Sequence, residues 1–299
     1  AAWPPRGRAV VFRFGPPEGS SLPMGREVRV RYELYDGIPL IGKRDSVLNG
    51  GAKPVELDRL CGEILALVEE HNWVELRDGV SYPAPSYLHV ETDYAFGGFV
   101  TENAQRQVVH WRPAPDFHSQ VNWAKKTPCL LETEPQRGPD VIVGAGDTFR
   151  GFWTFELVQG RGDRESRGLA RRRMYRVLAP WATENPLILH VVSTDSKVVR
   201  RAIDQAAECG VEMGSLSFGS GLNMEDPSPE NHAKFRDLVD YAQERGLHLG
   251  GYSLLASRRI KPESDNCINT KTGKPGGQTF GFAHALASAW GQGYFRALR

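Results

Sequence analysis

Side chains able to do chemistry collect where short apolar runs of this chain come to an end. "VVSTDSKVV" holds Asp195, "SLSFGSGLNMEDPSPE" holds Ser217, Asn223, Glu225 and Asp226, and "LHLGGYSLLASRRI" holds Tyr252, Ser253 and Arg258. Carboxyl groups at such positions serve as acid, base or nucleophile, and hydroxyl, amide and guanidinium groups orient a polar ligand. Each also has a plainer reading. Asp195 stands in "STDS" ahead of a helical pattern, which is a capping signature, and Glu225 and Asp226 precede Pro227 in what has the composition of a surface loop. Glu225 and Asp226 are the better carboxylates for touching a ligand. Glycines 250 and 251 either leave room for a ligand or chain segment to approach beside Tyr252, or simply ease packing around a core tyrosine. His190 lies inside an apolar run, where filling the interior is the expectation.

The elements that must position these residues form a regular series. "LILHVV" reads as a strand buried on both faces, "TDSKVVRRAIDQAAECG" as a helix stopped by Gly210, and "VEMGSLSFG" as a second strand. "SPENHAKFRDLVDYAQERG" follows as a helix capped by Ser228 and Gly246, and "LHLGGYSLL" as a third strand. Right-handed crossovers turn this β-α-β-α-β order into a parallel sheet, and sites in such sheets lie at the carboxyl ends of the strands. No G-x-G-x-x-G follows the first strand, so a nucleotide-binding reading has little support.

The first 160 residues read differently. "VRVRYELYDGIPLIGKRDSV" is a hairpin signal around Asp36-Gly37, a pair suited to a primed turn, and "AVVFRF", "EILALVEE", "YLHVETDYAFGGFV", "RQVVHW" and "TFRGFWTFELV" continue the series of short strands. "DRLCGEILALVEEHNW" also fits a helical period, but its neighbours favour a strand. The expected fold class is therefore α/β plus all-β. An antiparallel β-sandwich over residues 1–160 leads through a linker helix at 161–184 into a parallel β/α segment at 185–299. "RESRGLARRRMYRVLAPW" is that helix, its arginines reading as solvated charge and Pro180 ending it.

The chain has 299 residues with 37 basic and 36 acidic side chains, a formal net charge of +1. No whole-chain field recruits nucleic acid or an anionic membrane, and neither is expected as a partner. Cysteines 61, 129, 209 and 267 lack both zinc-site spacing and the density of a disulfide scaffold, so no metal and no cofactor is expected. The chain opens on Ala1 without a signal-peptide pattern and reads as processed or cut. The cysteines leave the compartment open, with an extracytoplasmic or secreted location favoured.

"KFRDLVDYAQERGLHLGGYS" resembles the stretch of the α-galactosidase and α-N-acetylgalactosaminidase clan of retaining glycoside hydrolases in which a helix runs into a third barrel strand ending in Gly-x-Tyr-Ser. The likeness covers residues 185–299, and a sandwich followed by a (β/α)8 barrel also looks like one branch of that clan. It implies a carbohydrate partner, a terminal α-linked sugar, and a site at the strand ends built from the residues above. Asp93 and Tyr94 in "HVETDYAFGG" are expected to reach toward that site from the first half, and Trp111 and Trp123 are candidates for stacking on a sugar ring, if they are not core. This chain departs from the clan in two ways. Ser217, Phe218 and Gly219 stand where better-known members have paired aspartates, and the catalytic residues stay unknown, because the strand bearing the clan's nucleophile would follow Arg299. Retaining enzymes need two carboxyl groups about 5 to 5.5 Å apart. The expectation is that three barrel units are present, and that further chain or a second copy completes the sheet. A non-catalytic carbohydrate-binding or assembly module is the alternative.

Overall fold

The computed structural model describes residues 4–20, 24–67, 87–94, 105–116, 129–160, 162–182, 185–252, 260, 263–269, 273–275, 277–278, 281–282 and 286–297. The chain divides into two compact units, Ala1–Glu184 and Asn185–Arg299.

The first unit is built of antiparallel sheets. Strands β1 (Gly7–Phe14), β2 (Arg26–Tyr35), β3 (Leu40–Asn49), β6 (Leu88–Thr92) and β10 (Thr148–Val158) make a five-stranded sheet in the order β1-β2-β3-β10-β6. Strands β5 (Glu63–Ala66), β7 (Val109–Arg112) and β8 (Leu130–Thr133) make a second sheet, and β4 (Val55–Leu57) pairs with β9 (Val141–Val143). The segment with two possible periods is a strand over Glu63–Ala66. The β2–β3 hairpin forms, but not on a two-residue primed turn. Among the described non-glycine residues only Asp140 has a positive φ, so Asp36 does not, and Gly37 alone takes the left-handed region, at φ 75°. A type I′ turn needs positive φ at both central residues. Pro39 has no N–H to give the ladder, and the hairpin's pairing starts at Leu34 opposite Ile41.

The two faces of the large sheet have different neighbours. Val90 of one face joins Leu88 and Leu131 in a core that Trp111 also packs against, while Thr154 Oγ1 and Thr133 Oγ1 meet at 2.9 Å and Lys43 pairs with Glu63 at 2.9 Å. These contacts tie the five-stranded sheet to the three-stranded one. The opposite face receives helix α1 (Arg164–Leu178), capped by Asp163, whose carboxylate accepts from the Ser166 N–H. Met174 is fully buried there against Ile38, Leu40 and Leu157, with Tyr35 and Phe155 alongside. In β10 the register slips by one residue: Arg150 lies opposite Ser46, but Trp153 lies opposite Arg44. This bulge hands the position opposite Arg44 to Trp153 in place of Phe152. Asp93 secures it, its carboxylate accepting the Trp153 N–H at 2.7 Å and its own N–H donating to the Trp153 carbonyl at 3.1 Å.

The second unit opens with the parallel sheet that its periodicity predicts. Strands β11 (Ile188–Val191), β12 (Met213–Leu216) and β13 (His248–Gly251) lie side by side in that order, joined by α2 (Ser196–Glu208) and α3 (Pro229–Gln243). Both helices bury apolar stripes on one face of the sheet, Val199, Ile203 and Ala206 from α2 and Leu238 and Ala242 from α3, against Val191 and Leu216. Glycines 210 and 246 follow the two helices at φ 72° and 76°. Tyr241 ties the helices together outside the core: its hydroxyl donates to Asp204 at 2.7 Å, and the Arg200 and Arg245 guanidinium groups lie 4.1 and 3.4 Å from its ring centre. Helix α4 (Ala289–Ala297) follows later in this unit.

Candidate functional site

Because the three strands are parallel and in register, their carboxyl ends form one rim. Ile188, Met213 and His248 are aligned across the sheet, then His190, Ser215 and Gly250 two residues on. One step past the paired residues, the Ser217 N–H donates to Val191 O at 3.0 Å and the Tyr252 N–H to Leu216 O at 2.9 Å. Ser217 and Tyr252 therefore stand at matching positions on the side of the sheet that the helices do not cover. His190 joins them, its Nδ1 lying 3.1 Å from the Ser217 hydroxyl. It is exposed rather than filling an interior. Tyr252 is 46% exposed. A tyrosine, a serine and an imidazole at one rim supply both donors and acceptors to a hydroxyl-rich ligand.

Asp195 and Asp226 follow the plainer of their two readings in this structure. Asp195 caps α2, accepting from the Lys197 and Val198 N–H groups at 3.0 Å each. Asp226 accepts from the Ser228 N–H at 3.0 Å, and that hydrogen bond holds its carboxyl below the usual carboxylate range. The Asn223 side-chain oxygen accepts from the Glu225 N–H at 3.1 Å, and Ser228 caps α3 through the Asn231 N–H at 3.2 Å. Asn223, Glu225 and Asp226 thus share one loop folded on its own backbone, with Glu225 and Asp226 half-buried. Ser253 and Arg258 lie outside the described residues, as does Trp123.

Glycines 250 and 251 face opposite ways. A Cβ on Gly250, on the open side, would meet only the tip of Met213, at 2.8 Å; one on Gly251, on the helix side, would meet Leu222 Cδ2 at 2.3 Å and Met224 Sδ at 3.0 Å. The close approach at Gly251 is thus made by the loop that follows β12. Beside it runs a groove of about 580 Å³ lined by Leu222, Met224, Gly251 and one stripe of α3. Sequence reasoning missed this groove. Its signal was the repeat of His232, Arg236, Val239 and Gln243 at three- and four-residue spacing, off the buried Leu238–Ala242 stripe.

Asp93 and Tyr94 belong to the first unit. Burial raises the Asp93 carboxyl, with the Trp153 N–H and Arg44 opposing that rise. The Tyr94 ring meets Phe152 edge-on at 5.7 Å. Among the described residues no cluster of three or more His, Cys, Asp or Glu is placed to hold a metal ion, and no helix is long and apolar enough to cross a membrane.

No family model matches the chain, and no curated protein matches it. Among solved structures it is similar to variants of the GH36 alpha-galactosidase AgaA from Geobacillus stearothermophilus. The variant in complex with 1-deoxygalactonojirimycin is 12% identical, with 97% of this chain and 50% of that one covered, at a TM-score of 0.48. The variant in complex with raffinose gives 12% identity, the same two coverages and a TM-score of 0.49. The alpha-galactosidase from Lactobacillus brevis is 12% identical over 97% of this chain and 48% of that one, at a TM-score of 0.47. The chain spans about half the length of these solved structures.

Proposed function

We propose that this chain is a carbohydrate-active protein, the N-terminal portion of an α-galactosidase-like retaining glycoside hydrolase acting on terminal α-linked sugars. In this reading its first unit is a β-sandwich and its second unit supplies the first strands of a (β/α)8 barrel. The observation that carries the reading is the rim at the carboxyl ends of β11, β12 and β13. There Tyr252 of the "GGYS" stretch, the segment that resembles the clan, stands level with Ser217 and its partner His190. The sugar's hydroxyl groups would bond to these side chains, with Glu225, Asn223 and Asp226 on the adjoining loop.

A second reading, a carbohydrate-binding module without turnover, is favoured by one observation. Asp195 and Asp226 accept hydrogen bonds from the backbone N–H groups of residues just after them, as structural carboxylates do, rather than standing as an acid and a nucleophile. Calorimetric binding of methyl α-galactoside and hydrolysis of 4-nitrophenyl α-galactoside separate the two. Tyr252→Phe is expected to weaken binding, or to lower kcat/KM, by the equivalent of about 1 to 3 kcal/mol, the cost of leaving a polar partner unsatisfied. The thermal midpoint should not move, because the side chain is half exposed. Unchanged binding and kinetics in Tyr252→Phe would remove the rim from the site.

A further inference from the structure

A second cavity, of about 490 Å³, lies in the first unit between the five-stranded sheet and α1. Its floor is aromatic: the Trp153 and Phe155 rings are 5.9 Å apart and inclined by only 15°. Trp181, 62% exposed, stands among its lining residues. Glu33 and Glu91 lie at the two ends of one row across the sheet, Glu33–Gly42–Phe155–Glu91. Gly42 makes the row possible, since a Cβ there would lie 2.9 Å from the Tyr35 hydroxyl. The β10 bulge turns Trp153 onto this same face, and bulges recur where a side chain must be re-aimed at a site.

The electrostatics argue against an anion. Glu33 accepts from Arg31 Nε at 2.8 Å and from the Tyr35 hydroxyl at 2.9 Å. Glu91 takes the Tyr175 hydroxyl at 2.7 and 2.5 Å and meets His89 Nε2 at 2.6 Å. The Asp93 carboxylate receives the Trp153 N–H, and the Arg44 guanidinium lies 4.5 Å from the Trp153 ring centre. Arg31 pairs with Glu33, whereas the hydroxyl and N–H donors on Glu91 and Asp93 satisfy lone pairs without removing charge, so an anion would meet three acidic groups. A carboxylate with about four lone-pair sites still has acceptor capacity for hydroxyl donors. A stacked aromatic pair beside hydrogen-bond acceptors fits a neutral polyhydroxylated ring, with a cation as the competing ligand for the test to exclude, and the volume falls within the roughly 300–1,000 Å³ of ordinary ligand sites.

We propose that this cavity is a carbohydrate-binding site in its own right, taking a neutral pyranose whose apolar face packs against the Trp153–Phe155 pair and whose hydroxyl groups bond to Glu33 and Glu91. It does not depend on the rim of the second unit. The test is calorimetry on the full chain with methyl α-galactoside, maltotriose and cellotriose, and with tetramethylammonium chloride as the cation probe. At least one sugar should bind, and Trp153→Ala should weaken it by roughly tenfold or more, with Trp153→Phe retaining most of the affinity. Trp181→Ala, at an exposed position, gives a loss of affinity that unfolding cannot explain, and an unchanged thermal midpoint checks this. Tyr252→Phe should leave this binding intact, whatever it does at the rim. Three results would overturn the site: no sugar binding at tens of millimolar, binding of the cation alone, or sugar binding that ignores Trp153→Ala and Trp181→Ala.

Discussion

Burial, reinforced by the neighbouring Glu63 carboxylate and a hydrogen bond shared with it, raises Glu156 to about 8 from the ordinary 4.5, against the pull of Lys43. Burial likewise lifts Asp45, two residues from Lys43 on β3, to about 6 from 3.8. Three carboxyl groups around one ammonium cannot all be ionised cheaply, and one oxygen each of Glu156 and Asp45 has no hydrogen-bond partner. A folded-state value above the unfolded one means that the native protein binds the extra proton. The stabilisation is complete below 4.5 and is lost as pH rises through about 8. Urea denaturation across that window should show the first unit losing about 1 to 3 kcal/mol on going to alkaline pH. Glu156→Gln should remove the part of the slope above about 6, leaving the part that belongs to Asp45. A stability that rises with pH over this range would contradict the assignment. None of this was legible in the sequence, because Lys43, Glu63 and Glu156 come from three strands and meet only when two sheets pack.

At the scale of elements, the adjacent glycines of β13 offer a direct comparison. Gly250→Ala asks only the flexible end of Met213 to move, whereas Gly251→Ala drives a methyl group into Leu222 on the packed side. The first should be close to neutral and the second should cost about 1 to 3 kcal/mol in thermal or urea unfolding. Equal effects would mean that the loop at 222–224 yields freely. The helices and parallel strands of this unit were legible because each repeats one period over several turns and carries its own punctuation: Asp195 and Ser228 at the starts, glycines 210 and 246 past the ends. What alternation could not reveal was parity. "TFRGFWTFELV" reads as one strand, but the bulge between Arg150 and Trp153 exchanges its faces midway, and only the partner strand shows this. The candidate rim was legible to the same extent as its strands. Tyr252 and Ser217 followed from where the strands end, whereas the engagement of Asn223 and Asp226 by backbone N–H groups depends on loop geometry that no period encodes.

For the molecule as a whole, the parallel sheet of the second unit ends at β11 and β13 among the described residues. Ile188 and Val192 at its open side are 48% and 65% exposed. Parallel sheets are normally covered on both faces, and an uncovered edge offers backbone groups to another strand. The chain by itself is therefore expected to self-associate as its concentration rises, which sedimentation velocity would register. A strictly monomeric species across the accessible concentration range would count against it.

The strand order also sets a rhythm in time. In β13 the His248 and Tyr252 N–H groups point inward and donate to Glu212 and Leu216, so the pleat turns the Leu249 and Gly251 amides outward, where no described residue bonds them. In deuterated water these two should exchange fast while their neighbours on either side stay protected, a residue-by-residue alternation over only five positions. A partner strand added along that edge would slow the fast pair and leave the slow ones as they were, so the exchange pattern of β13 reports whether, and on which side, another strand has joined the sheet.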